Sequence, residues 1–281
     1  MQTIYEMPEL PEITVISRQM NKTIIGKTVA QAESKQPKNL NMPINQFYEA
    51  VEGKAIVNVS NRGKWIFVKL ECLYYLLMSL GMGGDLLYFR SKDELPEKYH
   101  FKLIFTDGTG FTARFSWFGY IHLIREADLP KHKMTAQLGI SPMDNQFTEE
   151  YLSTLLHNKK MAIKSFLMDQ KNIAGIGNVY IQDILFRARL HPNRKIFSLS
   201  KEETGELYRA IKTTMNHSIE LGGLTYEKDF HGTRRGFTSE DFLVGYKEGK
   251  PCPTCGTTIE KIRTGTTATY ICPNCQKIQA Q

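Results

Sequence analysis

Four cysteines near the C-terminus constrain this chain more than any other feature. Cys252-Pro253-Thr254-Cys255 and Cys272-Pro273-Asn274-Cys275 are two C-x-x-C knuckles with sixteen residues between them. That spacing lets four thiolates close a tetrahedron around one Zn²⁺ ion. The competing reading, a pair of disulfides, needs an oxidising compartment. No apolar run reaches membrane-spanning length and the N-terminus lacks a signal-peptide core, so the expected location is the reducing cytoplasm. One zinc is therefore the expected cofactor. Four sulfurs leave no open coordination position, so this zinc holds a fold and does no chemistry. Cys72 is left over in an apolar stretch and reads as a core thiol.

The rest of the chain divides by periodicity. Leu10, Ile13, Ile16, Met20 and Ile24 recur at helical steps, which predicts an amphipathic helix over about 9–21, with Gly26 as its stop. From there to about Ile124 the pattern is strand-like. Segments 54–60 and 64–70 flank the turn Asn61-Arg62-Gly63, and 73–78, 86–89, 99–105, 111–115 and 120–124 follow. This predicts a β-sandwich or barrel-like domain with one leading helix. Past Ser141-Pro142 the pattern turns helical over 147–157, 161–168, 178–188 and 200–221, and Gly222-Gly223 closes that module. The stretch 225–238 reads as a mobile connection to the cysteines. The expected domains are thus 8–130, 140–224 and 242–279. Hydrophobic content of 41% and charged content of 23% suit a folded soluble protein, and a net charge of +7 points to a polyanionic partner.

Several short motifs carry two readings each. Met7-Pro8-Glu9-Leu10-Pro11-Glu12 is ordinary helix-start chemistry, with proline in the first turn and acids near the dipole. Trimmed after Met7, it would also expose a proline amine with a pKa near 8, neutral enough to attack a sugar carbon beside Glu9. Gly175-Ile176-Gly177-Asn178 is either a tight interhelical turn or an anion seat at a helix start capped by Asn178. A dinucleotide fold fits poorly there, because the third glycine is missing and no parallel strand precedes it. Lys64, after the hairpin turn, is unremarkable on its own. Met82, in Leu80-Gly81-Met82-Gly83-Gly84, and Phe118, before Gly119, are either core filler or wedges for a base stack.

Together these residues resemble the formamidopyrimidine-DNA glycosylase/endonuclease VIII family of base-excision-repair enzymes. The resemblance spans Met7 to Lys277. It rests on Pro8-Glu9-Leu10-Pro11-Glu12, Arg62-Gly63-Lys64, Leu80-Gly81-Met82-Gly83, Gly175-Ile176-Gly177-Asn178-Val179-Tyr180 and the four-cysteine finger, in order. It implies an α+β multidomain fold: an N-terminal β-sandwich with a leading helix, a central helix–two-turn–helix domain, and a C-terminal zinc-finger hairpin. It implies glycosylase and abasic-site lyase activity on damaged double-stranded DNA by a monomer with no membrane association, in a bacterial cytoplasm and bound to the nucleoid through DNA. By the same resemblance, Pro8 is the amine nucleophile, Glu9 protonates the sugar ring oxygen, Glu12 is a second carboxylate and Lys64 the general acid/base. Lys159 and Asn178 contact phosphate, and Met82 and Phe118 fill the gap left by the everted nucleotide. His100 and Arg263 join the DNA-facing set.

Three departures sharpen the reading. In Arg114-Phe115-Ser116-Trp117-Phe118-Gly119, the position of the family's gap-filling arginine is Ser116. The position of the finger's catalytic arginine is Thr267, which cannot hold a phosphate bidentately, so δ-elimination is expected to weaken unless Arg263 substitutes. Met1–Glu6 precede Met7 and would lock the Pro8 nitrogen in an amide, so translation is expected to start at Met7. The alternative functions are a lesion- or abasic-site-binding protein of the same fold without catalysis, and a zinc-ribbon protein acting on RNA or another polyanion.

Overall fold

The computed structural model describes residues 7–234 and 236–278; Met1–Glu6, on which the start site turns, lie outside them. The chain forms two compact units, one of residues up to 137 together with 222–236, the other of 138–221 together with 237 onward.

The first unit opens with α1 (Leu10–Ile24), whose Leu10, Ile13, Ile16, Met20 and Ile24 are all buried, as the apolar spacing predicts. Two four-stranded antiparallel sheets follow. One runs β1 (Val29–Ser34), β6 (Phe101–Phe105), β7 (Gly110–Arg114), β5 (Asp85–Phe89); the other runs β2 (Ile56–Arg62), β3 (Trp65–Leu70), β4 (Tyr74–Ser79), β8 (Tyr120–Arg125). Alternation fixes which face is inward: Phe101, Leu103 and Phe105 of β6 are buried and Lys102 and Ile104 between them are not fully so. Phe101, Leu103 and Phe111 from one sheet and Val68, Leu76, Met78 and Ile121 from the other share one core with α1. This is the β-sandwich with a leading helix. The helix α2 (Ile44–Val51) lies in a stretch that reads as strand-like, because only Phe47 and Val51 are buried in its eight residues and two positions set no clear period.

Two local details differ from the sequence reading. The β2–β3 pairing runs to Arg62↔Trp65, so the turn is Gly63-Lys64 with Gly63 at φ +55°, and Lys64 sits on the turn, not in the strand. Cys72 is not a core thiol: it lies in the β3–β4 turn at φ +60° and is exposed. The stretch expected to be a mobile connection is tied into the first unit. The Tyr88 N–H donates to Phe230 O at 2.7 Å, Gln19 bonds both Asp229 Oδ2 and the Phe230 N–H, and Phe230 is fully buried.

The second unit holds α3 (Glu149–Leu156), α4 (Ile163–Met168), α5 (Ile181–Arg187), α6 (Lys201–Leu221) and the hairpin β9 (Glu260–Thr264)–β10 (Thr267–Ile271). Asp183 on α5, 2% exposed, accepts the backbone N–H groups of Leu243, Val244 and Gly245 at 2.7, 3.0 and 3.0 Å. A small cluster of Phe186, Val244, Cys252, Ile259 and Cys272 continues that anchor, and Gln276 donates to Leu190 O at 3.0 Å. The finger is thus built onto α5 by charge-assisted and apolar contacts together.

Candidate active site

The N-terminus of α1 gathers the carboxylates. Glu9 takes an extended backbone (φ −97°, ψ −170°) as N-cap, and its side chain and that of Glu12 cap the helix reciprocally. Glu12 Oε2 accepts the Glu9 N–H at 2.8 Å, and Glu12 Oε1 accepts the Leu224 N–H at 3.0 Å. Gly223 makes that approach feasible: a Cβ there would stand 3.1 Å from Glu12 Oε1, and φ is +81°. Pro8 is buried, and Glu9 and Glu12 are 1% and 3% exposed. Into this enclosed acidic corner the turn Gly63-Lys64 delivers a cation, with Lys64 Nζ 3.8 Å from Glu9 Oε1. Asn61 Nδ2 donates to Thr14 Oγ1 at 3.1 Å and holds the hairpin against α1. Lys64, read from one motif, is thus brought against Glu9 of the motif that also holds Pro8 and Glu12.

Sequence reasoning missed one member. Glu227, on the segment that clasps Glu12, has its carboxyl pushed up to about 8 by burial, then by the charges of Glu12 and Asp85, against the opposing pull of Arg234. A carboxyl so placed keeps its proton at neutral pH. The only signal in the sequence is an acid among the apolar and aromatic residues of Leu224-Thr225-Tyr226-Glu227.

Met82 and Phe118 lie on two loops of the first unit that pair with each other. The Met82 N–H donates to Trp117 O at 2.9 Å and the Trp117 N–H to Met82 O at 3.4 Å. Phe118 is 64% exposed, so it is not core filler, while Met82 is half-buried. His100 is a support for this loop: its Nδ1 accepts the Phe115 N–H at 3.0 Å and its ring stacks on Phe115.

In the second unit the residues expected to form a phosphate seat are arranged differently from the sequence reading. Asn178 does not cap a helix, because α5 begins at Ile181 with Tyr180 as N-cap. Asn178 Oδ1 instead accepts from Lys164 Nζ at 3.1 Å, and Asn178 O accepts from Gln182 Nε2 at 2.8 Å. Lys164, 3% exposed, also donates to Thr264 Oγ1 (3.1 Å), Thr267 Oγ1 (2.8 Å), Ala268 O (3.3 Å) and Thr269 Oγ1 (2.6 Å). Three ammonium protons are thus shared among these acceptors. Thr267 is occupied by a buried lysine from α4. Sequence reasoning missed Lys164, although a lysine set among the buried Ile163, Phe166 and Leu167 is a signal. Lys159 lies on the surface after α3, and Arg263 is exposed on β9 with its Nε donating to Gly265 O at 3.2 Å.

Cys252, Cys255, Cys272 and Cys275 place all four sulfurs within 4.8 Å of one another, with Cys252–Cys275 at 3.8 Å and Cys255–Cys272 at 3.5 Å. A tetrahedron with Zn–S bonds of ~2.3 Å has S···S edges of ~3.8 Å, so the donor set fits one Zn²⁺. The Thr254 N–H donates to Cys252 Sγ and the Cys275 N–H to Cys272 Sγ, both at 3.4 Å, which supports thiolate charge.

Comparison with known proteins fits this geometry. Residues 7–116 match the formamidopyrimidine-DNA glycosylase N-terminal domain, 138–229 the H2TH domain of the same glycosylases, and 249–278 the zinc finger found in FPG and IleRS. The chain is 35% identical over 278 residues to the formamidopyrimidine-DNA glycosylase of Pelotomaculum thermopropionicum, covering 97% of this chain and all of that one. It is 32% identical over 274 residues to the Bacillus cereus protein of the same name, with 96% and 99% coverage. Among solved structures, a Lactococcus lactis FPG variant bound to Fapy-dG-containing DNA superposes with a TM-score of 0.88 at 28% identity, over 96% of this chain and all of that one. The Lactococcus lactis Fpg with abasic-site DNA gives 0.87 at 27%, with the same coverage.

Proposed function

Because this chain belongs to the formamidopyrimidine-DNA glycosylase family, we propose that it excises oxidised bases from duplex DNA and then cuts the abasic site, using the Pro8 nitrogen as nucleophile. The observation that carries the reading is the Lys64–Glu9 pair, 3.8 Å apart and almost wholly enclosed, beside the buried Pro8. A proton donor and a proton acceptor from segments fifty-five positions apart meet where a secondary amine would be exposed on an N-terminus at Pro8.

The chemistry then runs on this chain's own groups. The neutral amine attacks C1′ of the everted nucleotide, the C1′–N bond to the base breaks, and the base leaves with a proton. The ring opens as Glu9 protonates the sugar oxygen, giving an iminium between the Pro8 nitrogen and C1′. Loss of a C2′ proton expels the 3′ phosphate, and water releases the enzyme. Lys64 and Glu9 exchange the protons, and Glu12 holds the helix start that aims them.

An amide nitrogen has no available lone pair, so the working chain starts at Pro8 after removal of Met7. The family match beginning at residue 7 supports this start. In the second unit, Lys164 bonded to Asn178 Oδ1 turns the amide nitrogen of Asn178 toward a phosphate, and Lys159 and Arg263 add charge. One structural Zn²⁺ holds the finger. The protein acts as a monomer on DNA in a bacterial cytoplasm, and among the described residues no helix is long and apolar enough to cross a membrane.

Borohydride trapping tests the reading. Protein expressed from its native gene context is mixed with duplex DNA carrying one abasic site, reduced, and weighed intact. An adduct whose protein begins at Pro8 is expected. An adduct retaining Met1 would move the nucleophile to a lysine, Lys64 first. Tight binding with no adduct would overturn the enzyme reading in favour of a damage-binding protein.

A further inference from the structure

Trp117 is 66% exposed beside Phe118 at 64%, on a loop that is otherwise closely fixed. Its backbone is bridged to Met82 by two hydrogen bonds. Gly81 faces it with no room to spare, since a Cβ there would fall 2.0 Å from Trp117 O. Gly119 is equally confined, its missing Cβ lying 2.2 Å from the ring of the buried Phe115. Asn39 Nδ2 donates to Gly119 O at 2.5 Å, and Ser116 Oγ turns back to Gly83 O at 3.2 Å. A large apolar ring displayed on a backbone this constrained is an interaction feature: the platform is ordered before any partner arrives, and an indole loses little rotamer freedom on binding.

Taking the lesion-excising reading above as its basis, we propose that Trp117 stacks on the base left unpaired when the damaged nucleotide is everted, and that it makes the protein tolerant of the base opposite. The residue types around it favour this occupant. Ser116 spends its hydroxyl on Gly83 and offers no long donor to a base edge. Hydrogen-bonding side chains distinguish the four bases by their edges, whereas an aromatic face meets the π-surface that every base has. Phe118 holds φ +58°, so two adjacent aromatics are presented by a backbone bend rather than one being turned inward.

The molecule carries its own probe, because its tryptophans are only Trp65 and Trp117, and Trp65 is 7% exposed and stacked on Tyr120 at 6.2 Å. Parent and Trp117→Ala proteins are titrated with duplexes bearing a non-cleavable tetrahydrofuran abasic analogue opposite A, C, G or T, following tryptophan emission. The parent is expected to show quenching with all four, with dissociation constants within about threefold of one another. Trp117→Ala should lose the quenching and bind about tenfold to a hundredfold more weakly to all four alike, the range one base–aromatic stack carries. Trp117→Arg should recover affinity but spread the four duplexes by more than about tenfold. Unchanged parent emission on a duplex it binds tightly, a strong preference for one opposite base, or full affinity in Trp117→Ala would each overturn the proposal. Any of these results from a parent that still forms the borohydride adduct overturns this inference alone; a parent that neither binds abasic duplex nor forms the adduct overturns the lesion-excising reading with it.

Discussion

Two buried polar centres of this protein, at the start of α1 and around Lys164, are assembled in opposite ways. At the start of α1, Glu9 and Glu12 cap each other across three residues, and the more distant partners, Lys64 and Leu224, are added to a motif already complete. Around Lys164, the acceptors lie 14, 100, 103, 104 and 105 residues along the chain, and four of the five are on the finger hairpin. One centre is preformed by local backbone geometry. The other exists only while the hairpin is folded, and the hairpin is held by four sulfurs whose metal supplies folding free energy. The difference predicts that metal loss separates them.

The largest effect expected is therefore from zinc removal. Chelation, or Cys272→Ala, should unfold the hairpin, take its contacts away from Lys164 and weaken duplex binding by about a hundredfold or more, while α1 and the sandwich stay folded. Far-UV circular dichroism with a DNA-binding titration checks this. Retention of full affinity in metal-free protein would show that the lysine pocket is not organised by the finger.

Next in size is Lys164→Met. It keeps the volume and removes the donor shared by Thr264, Thr267, Thr269 and Asn178, leaving buried acceptors short of partners at a cost of about 1–3 kcal/mol. Thermal unfolding should show the loss, and binding should weaken further than stability alone explains, because the Asn178 amide is no longer oriented. The matching change at the helix start, Glu12→Gln, keeps one of the two acceptor oxygens that serve the Leu224 and Glu9 N–H groups, and should cost less stability than Lys164→Met while slowing adduct formation.

The same contrast decides what was legible in the sequence. Pro8 through Glu12 reads as a helix start because every contact that defines it lies within one turn. The cysteines read as a zinc site because ligand spacing is itself local. Lys164 did not, since nothing near it in sequence announces a hairpin a hundred residues away, and Asn178 read as a helix cap because its real partners, Lys164 at its side chain and Gln182 at its carbonyl, are not visible in the local pattern, while α5 begins only at Ile181. Glu227 stayed hidden for a related reason: its raised pKa comes from burial and from Glu12 and Asp85, far away in the chain. Strands such as β6 were readable from alternation and the largely buried β4 from its apolar run, but α2 was not, with two buried residues in eight.

Titration gives two intermediate effects of opposite sign within the first unit. His122 Nδ1 lies 2.9 Å from His132 Nε2, and His132 Nδ1 lies 2.7 Å from Thr135 Oγ1. Burial, then the neighbouring His132, pulls His122 down to about 4. The unfolded chain therefore takes up a proton near pH 6.5 that the folded one refuses, so stability is full above that value and falls as pH drops from about 6.5 toward 4. Glu227 runs the other way. The folded chain keeps its proton up to about pH 8 while the unfolded one releases it near 4.5, so this group lowers stability as pH rises across that interval. His122→Phe should flatten the acid limb of a melting-temperature profile and Glu227→Gln the alkaline limb. A profile unchanged by Glu227→Gln between pH 5 and 8 would mean that its carboxyl is solvated.

The smallest effect expected is from Arg263→Ala, and it sharpens the finger side of the comparison. Thr267 is bonded to Lys164, and its neutral hydroxyl is no substitute for a guanidinium fork. Arg263 faces Ala268 in the β9–β10 register, is exposed, and spends its Nε on Gly265 O, so it lies on the surface of the hairpin and outside the lysine pocket. From there it can lend charge to a phosphate at low energy and with no fixed geometry. Arg263→Ala should reduce the slope of log K against log salt by about one, and lower the yield of 3′-phosphate ends by less than about threefold. An unchanged slope with equal yields would remove Arg263 from the DNA contacts. A collapse of the 3′-phosphate yield would instead make this exposed arginine the residue that performs, from one strand away, what Thr267 does not.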